Sequence, residues 1–321
     1  MKLKVAIVGI GYWGWHYCRI ISEHPDCELV WISDLNQESL DKAKLKYPNA
    51  ECSQLVLNLE GDDRIDAVIL CTPVKTHHVI AEKILMAGKH LLCEKAMASY
   101  KVHCNEMISQ ARYKNVKLAI GQTYYYNSLV QKVKQLLDEN YLGDVYYVSM
   151  TRVGMSPLRQ DVSAWVDLGA HDVSILDYWF GMPKSIACFG ESYLQDGLED
   201  IVTAQLQFEN KITATVRVSW LNPIKRRNIS IIGSKKMLVF DDIEKTLTVF
   251  DKCYDGSSVN FSGINLNVEY KEPLKEQVND FIASILYDRQ PLCGGIEGLN
   301  VVRVLEAGSK SLQMNSEKIL I

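Results

Sequence analysis

Gly9 closes the apolar run "KVAIVG" and, with Gly11 and Gly14, keeps the spacing G-x-G-x-x-G within "GIGYWG". Glycines so placed permit a tight turn and a close backbone approach. The free N–H groups at the start of a following helix can then hold the pyrophosphate of a dinucleotide. Tyr12 and Trp13 lie inside the same turn and are counted with it. Asp34 closes the next apolar run, "CELVWISD", where a carboxylate hydrogen-bonds the 2′-hydroxyl of an adenine ribose. Leu35, not Arg or Lys, follows it, so a 2′-phosphate would meet repulsion with no adjacent cation to offset it. NAD is expected over NADP.

Two further sets carry proton chemistry. The run "HLLCEK" ends in adjacent Glu94 and Lys95. Charge at the end of a buried strand is unfavourable unless paired or used. A desolvated lysine, or one beside a cation, comes into range as a proton donor or acceptor; a solvated ion pair is the plain alternative. In "DLGAHD", Asp167 and His171 stand four apart on a predicted helix and project from one face, which continues through Ser174 and Tyr178. A carboxylate that fixes a histidine's tautomer is a usual acid/base device, although such a pair in isolation is more often a structural hydrogen bond.

The elements that must position these residues follow from periodicity. From Lys4 to about Gln122, short apolar runs alternate with amphipathic segments: "KVAIVG", "CELVWISD", "DAVILCTP", "HLLCEK" and "VKLAIGQ" read as strands, with helices between them. That beat predicts a doubly wound parallel sheet, whose carboxyl edge binds ligands. Cys71, Thr72 and Pro73 end the strand "DAVILCTP" at that edge, beside the expected nicotinamide. Asn36 and Ser99 stand where helices need N-caps, and Gly88 where one needs a C-terminal cap. After residue 123 the pattern changes to a helix, a strand, a helix and then successive strands from Ser185 onward, closing on two helices. The expectation is an α/β Rossmann domain over 1–122. An α+β domain with a large, mostly antiparallel open sheet follows over 123–321, its C-terminal helices able to pack back on the first domain.

Composition excludes several classes. A formal net charge of −4 gives no global attraction to nucleic acid or to an anionic membrane. Nine cysteines without a C-x-x-C pair suggest neither a zinc ribbon nor a disulfide framework, and fit a reducing cytoplasm. The N-terminal apolar run is too short for a signal peptide or a membrane span. His77 and His78 are neighbours and point in different directions, with no further Cys or His at metal spacing, so no metal is expected. The run Lys225-Arg226-Arg227 reads as a solvated or interface face. Trp165 is placed near Asp167, where an indole stacks on sugar or nicotinamide or else packs in a core.

"VGIGYWG", "CTPVKTHH", "AGKHLLCEK" and "DLGAHD", in this order, resemble the glucose-fructose oxidoreductase/inositol dehydrogenase (Gfo/Idh/MocA) family over essentially the whole chain. "QTYYYN", "TRVGMSPLRQDV" and "VSWLNPIKRRNISIIGSKKMLVFDD" are most similar to its nucleotide-sugar branch, the UDP-N-acetylglucosamine and UDP-N-acetylglucosaminuronate 3-dehydrogenases. The resemblance implies that Lys95 is the active-site lysine, that Asp167 and His171 are its paired carboxylate and histidine, and that Glu94 helps hold cofactor and lysine. It also implies that Thr72, Pro73, His77 and Gln122 contact cofactor, and that Tyr124, Arg152 and Arg159 face sugar or nucleotide. Ala96 stands where the family usually has proline. The implied activity is hydride transfer between NAD and a secondary alcohol of a sugar, with either Lys95 or His171 as the base. The alternatives are a keto-sugar reductase, an inositol or free-sugar dehydrogenase, or a non-catalytic NAD-sensing protein. A homodimer or homotetramer through the C-terminal sheet is implied as well.

Overall fold

The computed structural model describes residues 2–54, 63–155, 159–251 and 263–321; Cys253 and residues 156–158 of the quoted "TRVGMSPLRQDV" fall outside them. The chain divides into two units, Met1–Thr123 with Glu272–Val302, and Tyr124–Lys271 with Arg303–Ile321.

The first unit alternates strand and helix: β1 (Leu3–Val8), α1 (Tyr12–Glu23), β2 (Cys27–Ser33), α2 (Gln37–Lys46), β3 (Glu51–Ser53), β4 (Ala67–Leu70), α3 (Val74–Met86), β5 (His90–Glu94), α4 (Lys101–Tyr113) and β6 (Leu118–Gly121). The strands form one six-stranded parallel sheet in the order β3-β2-β1-β4-β5-β6. β4 and β6 are buried at every position, as strands covered on both faces must be. Asn36 caps α2 by accepting the N–H of Ser39 at 3.1 Å. Ser99 does not cap α4. Tyr100 keeps an extended backbone, so the helix starts one residue later, and its N-terminus has no side-chain cap.

Strand β3 is only three residues long, too short to show a period, which is why sequence reading passes over it. Far along the chain, α7 (Pro273–Leu286) presents Leu274, Val278, Phe281 and Ile282 at helical spacing, and all four lie in the core of this first unit beside Tyr17, Cys18 and Ile21. Each such burial contributes about 1.5–3 kcal/mol.

In the second unit the elements are α5 (Ser128–Asp138), β7 (Val145–Val153), α6 (Ala170–Phe180), β8 (Ser185–Glu191), β9 (Ile201–Gln207), β10 (Thr213–Ser219), β11 (Arg226–Gly233), β12 (Lys236–Asp241), β13 (Thr246–Asp251), β14 (Ile264–Asn265) and β15 (Ile319–Leu320). Helix α8 (Gly295–Gln313) runs across the boundary at Val302. The nine strands form one sheet, β14-β13-β12-β11-β7-β10-β9-β8-β15, antiparallel except where β7 runs parallel to β10. Alternate residues such as Val148, Met150, Val202, Ala204, Val216 and Val218 face its core.

Trp165 belongs to that core. It is 0% exposed, its indole N–H donates to the Leu305 carbonyl at 3.1 Å, and a Cβ on Gly169 or Gly308 would come within 2.6 or 2.4 Å of its ring. The expectation that it meets substrate is therefore corrected. Two glycines clear space for the indole, and burying so large a ring outweighs offering it to a ligand.

Candidate active site

Strand β1 leads into a turn at Gly9, which adopts φ +90°, a conformation that favours glycine. A Cβ there would stand 2.8 Å from the Cys71 carbonyl carbon and 3.0 Å from the Thr72 nitrogen, so the turn lies directly against the exit of β4. A Cβ on Gly14 would come to 2.1 Å from the Gly9 carbonyl oxygen, so α1 begins this close only with glycine. Around Gly11 a Cβ would meet nothing within 4 Å. The first turn of α1 has neither a side-chain cap nor an acidic residue, which leaves its N–H groups to an incoming anion.

Asp34 closes β2 with Oδ2 accepting the Ile10 N–H at 2.7 Å and Oδ1 accepting the Asn36 N–H at 2.8 Å. The carboxylate is thereby locked to the glycine turn, and each oxygen keeps a lone pair for a hydroxyl. Gln122, at the exit of β6, is 0% exposed, and neither its amide oxygen nor its amide nitrogen has a partner among the described residues. Such an amide is unfavourable by about 1–3 kcal/mol until something bonds it. The open turn, the fixed carboxylate and the orphaned amide fit a dinucleotide. Tyr12 and Trp13 are exposed beside the turn, their rings edge-on at 5.3 Å.

Glu94 and Lys95 end β5 at the same sheet edge. Glu94 is 8% exposed; its Oε1 accepts the Tyr17 hydroxyl at 2.6 Å and its Oε2 accepts the Lys95 backbone N–H at 3.1 Å. Gln277, on α7, donates to the Tyr17 oxygen at 2.7 Å. Burial pushes the Glu94 carboxyl above the usual range, against the pull of the Tyr17 bond and the Lys95 charge. Lys95 itself is half-buried, and the Lys95–Ala96 peptide is cis.

His77 is buried rather than turned to a ligand. Its Nδ1 faces the Ala96 carbonyl at 2.9 Å and its Nε2 the Thr72 carbonyl at 2.7 Å, and burial lowers its pKa. The position expected to touch cofactor instead fastens the exit of β4 to the residue after Lys95.

In the second unit a π-helical turn, Trp165–Gly169, leads into α6, so Asp167 lies in a widened helix and His171 in the regular turn after it. The His171 ring meets the Tyr124 ring edge-on at 5.4 Å. Tyr124 donates to Asp242 at 2.7 Å and accepts from Arg152 at 2.8 Å. Burial, reinforced by Asp242, pushes its phenol up to about 12, so it stays a hydrogen-bond donor across the neutral range. Arg152, expected to face sugar, is 4% exposed and grips Asp172 with two bonds of 2.8 and 3.1 Å. A guanidinium taken up by a carboxylate and a phenol positions Tyr124 and is not turned to a ligand. Arg227 of the basic run stands 3.6 Å from Asp242 and so joins the network. Arg159 is half-exposed, paired bidentately with Asp161 and 3.6 Å from Asp167.

Thus Gly9, Gly11, Gly14, Asp34, Cys71, Thr72, Glu94, Lys95 and Gln122 belong to the first unit, and Tyr124, Arg159, Asp167 and His171 to the second. Sequence reading passed over Tyr17, Gln277, Asp172 and Asp242. Tyr17 and Gln277 look like core positions of amphipathic helices, and only Asp172, next to His171 in the quoted motif, carried a local signal.

Comparison with known proteins gives two family matches: "Oxidoreductase family, NAD-binding Rossmann fold" over residues 3–122 and "GFO/IDH/MocA C-terminal domain" over residues 130–239. The chain is 24% identical to the UDP-N-acetylglucosamine 3-dehydrogenase of Acidithiobacillus ferrooxidans, over 94% of this chain and 95% of that protein. A solved structure of that enzyme superposes with a TM-score of 0.87 at 21% identity, covering 99% of this chain and 100% of the other. The myo-inositol 2-dehydrogenase of Thermotoga maritima is 21% identical over 97% of this chain and 96% of its own. The WlbA dehydrogenase from Bordetella pertussis, solved with NADH and UDP-GlcNAcA, has a TM-score of 0.85 at 20% identity, covering 100% and 98%.

Proposed function

Because the chain belongs to the Gfo/Idh/MocA oxidoreductases, whose first domain is an NAD-binding Rossmann fold, we propose that it is a sugar dehydrogenase that uses NAD and oxidises the 3-hydroxyl of a UDP-N-acetylhexosamine or its uronate. The observation that carries the reading is the sheet edge of the first unit, where an uncapped glycine turn, a fixed carboxylate, an orphaned buried amide and a lysine stand at the ends of parallel strands. The similarity to UDP-N-acetylglucosamine 3-dehydrogenase along nearly the whole chain supports the choice of sugar.

In this reading bound NAD supplies the hydride acceptor. The uncapped N–H groups of α1 hold its pyrophosphate, Asp34 its adenine ribose, and Gln122 a polar group further along. NAD is favoured over NADP because the Asp34 charge already occupies the place a 2′-phosphate would need, with Leu35 beside it. Lys95 and His171 handle the hydroxyl proton, one removing it and the other donating a hydrogen bond to the developing alkoxide. Asp167 orients the histidine, Glu94 fixes the backbone of Lys95, and Arg159 and Tyr124 are assigned to the sugar nucleotide. Assembly through the C-terminal sheet and a reducing, cytoplasmic location complete the reading. Nine cysteines with no C-x-x-C pair support the location; among the described residues no helix is long and apolar enough to cross a membrane.

The test is absorbance of the reduced nicotinamide with UDP-GlcNAc, UDP-GlcNAcA, myo-inositol and free glucose, each with NAD and NADP. Turnover is expected with a UDP-sugar and NAD. Turnover with myo-inositol alone would overturn the sugar assignment in favour of the inositol reading that the Thermotoga relative represents. Silence across the panel would overturn the catalytic reading.

A further inference from the structure

His78, on α3, and His103 and Glu106, on α4, converge where the two helices pack side by side in the first unit. His103 and Glu106 are three apart and so share one face of α4. The His78 and His103 rings lie face to face, centroids 4.1 Å apart and planes within 7°. His78 Nε2 is 2.6 Å from Glu106 Oε2, and one donor atom from each of the three residues falls within 4.8 Å of the others. The Tyr100 ring stands edge-on to His103 at 5.6 Å.

We propose that these three side chains bind a divalent transition ion of the zinc class. Two imidazoles and one carboxylate form a donor set that zinc uses with its fourth position open to water, whereas magnesium and calcium prefer oxygen alone. Bonds of about 2.0–2.1 Å place donors around one ion roughly 3–3.5 Å apart. The present spacings straddle that range; because an imidazole nitrogen donates in its ring plane, the two stacked rings must turn out of parallel to share one ion, and the half-exposed Glu106 has room to give. The ion bridges α3 to α4 and stabilises the folded unit in proportion to its occupancy. It lies apart from the dinucleotide edge in its donors: none of the three is a residue assigned to the cofactor or the proton transfer. Sequence neighbours led to the expectation of no metal because His78 finds its co-ligands on the next helix and not beside itself.

The test is Zn²⁺ titration of the full chain, stripped with a chelator, in competition with a chromophoric chelator. One Zn²⁺ per chain is expected, with Mg²⁺ unable to compete. His78→Ala and His103→Ala should each weaken binding by more than about tenfold, and Zn²⁺ should raise the melting temperature of the parent chain but not of the double variant. Absence of stoichiometric binding, or equal affinity in the double variant, would overturn the site and leave His78 and Glu106 as an ion pair. Should the variants lose their circular dichroism, Co²⁺ added to the parent chain decides. The ring protons of His78 and His103 should shift most among the seven histidines; a larger shift at any other histidine overturns the proposal.

Discussion

At the scale of single residues, Lys95 and Glu94 answer different questions although they are neighbours. Lys95 is assigned to the reacting hydroxyl, so Lys95→Ala should cut turnover by a factor of about 100 to 10,000 and leave NAD affinity, read by fluorescence titration, nearly unchanged. Unaltered turnover would remove the lysine from the mechanism. Glu94 is a buried carboxyl held above its ordinary range. The folded chain therefore keeps that proton to higher pH than the unfolded chain does. Stability from this group is present at low pH and is lost as pH rises through the window above the usual carboxylate value. Glu94→Gln carries no such proton, so the drop in urea midpoint between pH 5 and pH 8 should be smaller in the variant than in the parent; an equal drop would show that Glu94 does not titrate as its burial requires. Lys95 and Glu94 stood out in the sequence because a charged pair ended an apolar run. Tyr17 did not, since a tyrosine on the buried face of a helix looks like packing until its hydroxyl is seen 2.6 Å from a carboxylate.

At the scale of elements, β7 and α6 are joined by the pair Arg152 and Asp172, with Tyr124 bonded to the same guanidinium. Removing one partner leaves the other charge buried, so Arg152→Met is expected to destabilise by about 3–5 kcal/mol in urea unfolding, and Arg152→Met with Asp172→Leu should recover much of the loss. If the single variant is as stable as the parent, the network has no structural role. The strand and helix alternation of the first unit was legible because parallel strands are apolar along their whole length and their helices keep a period of 3.6. Local cues to element ends were less dependable. Asn36 caps as its type suggests, whereas Ser99 loses its role to one extended residue at Tyr100. The parallel pairing of β7 with β10 has no sequence signature, because a strand's own residues do not state the direction of its neighbour.

At the scale of the whole molecule, the sheet of the second unit exposes Tyr147 and Phe189 on strand residues that alternate with buried ones, with Thr203, Arg217 and Thr151 registered across from Phe189. A broad sheet face carrying exposed aromatics suits a self-complementary contact. Light scattering should give a dimer or tetramer, and Tyr147→Glu with Phe189→Glu should lower the mass; a monomeric parent chain would end the assembly proposal.

What the chain determined by itself is whatever short-range spacing encodes: the glycine turn, the carboxylate at the end of β2 and the strand periods, whereas the π-helical turn that holds Asp167 ahead of His171 has no counterpart in the spacing of "DLGAHD". Spacing suffices for those three because turns, strands and helices repeat over a few residues, and side-chain direction follows from that repeat. The tertiary structure alone decided that Trp165 is core, that Arg152 belongs to Asp172, that α7 completes the first unit, and that His78 meets His103 and Glu106. Each of these depends on residues distant in sequence competing for the same space or the same charge, and burial settles that competition only once the chain has folded.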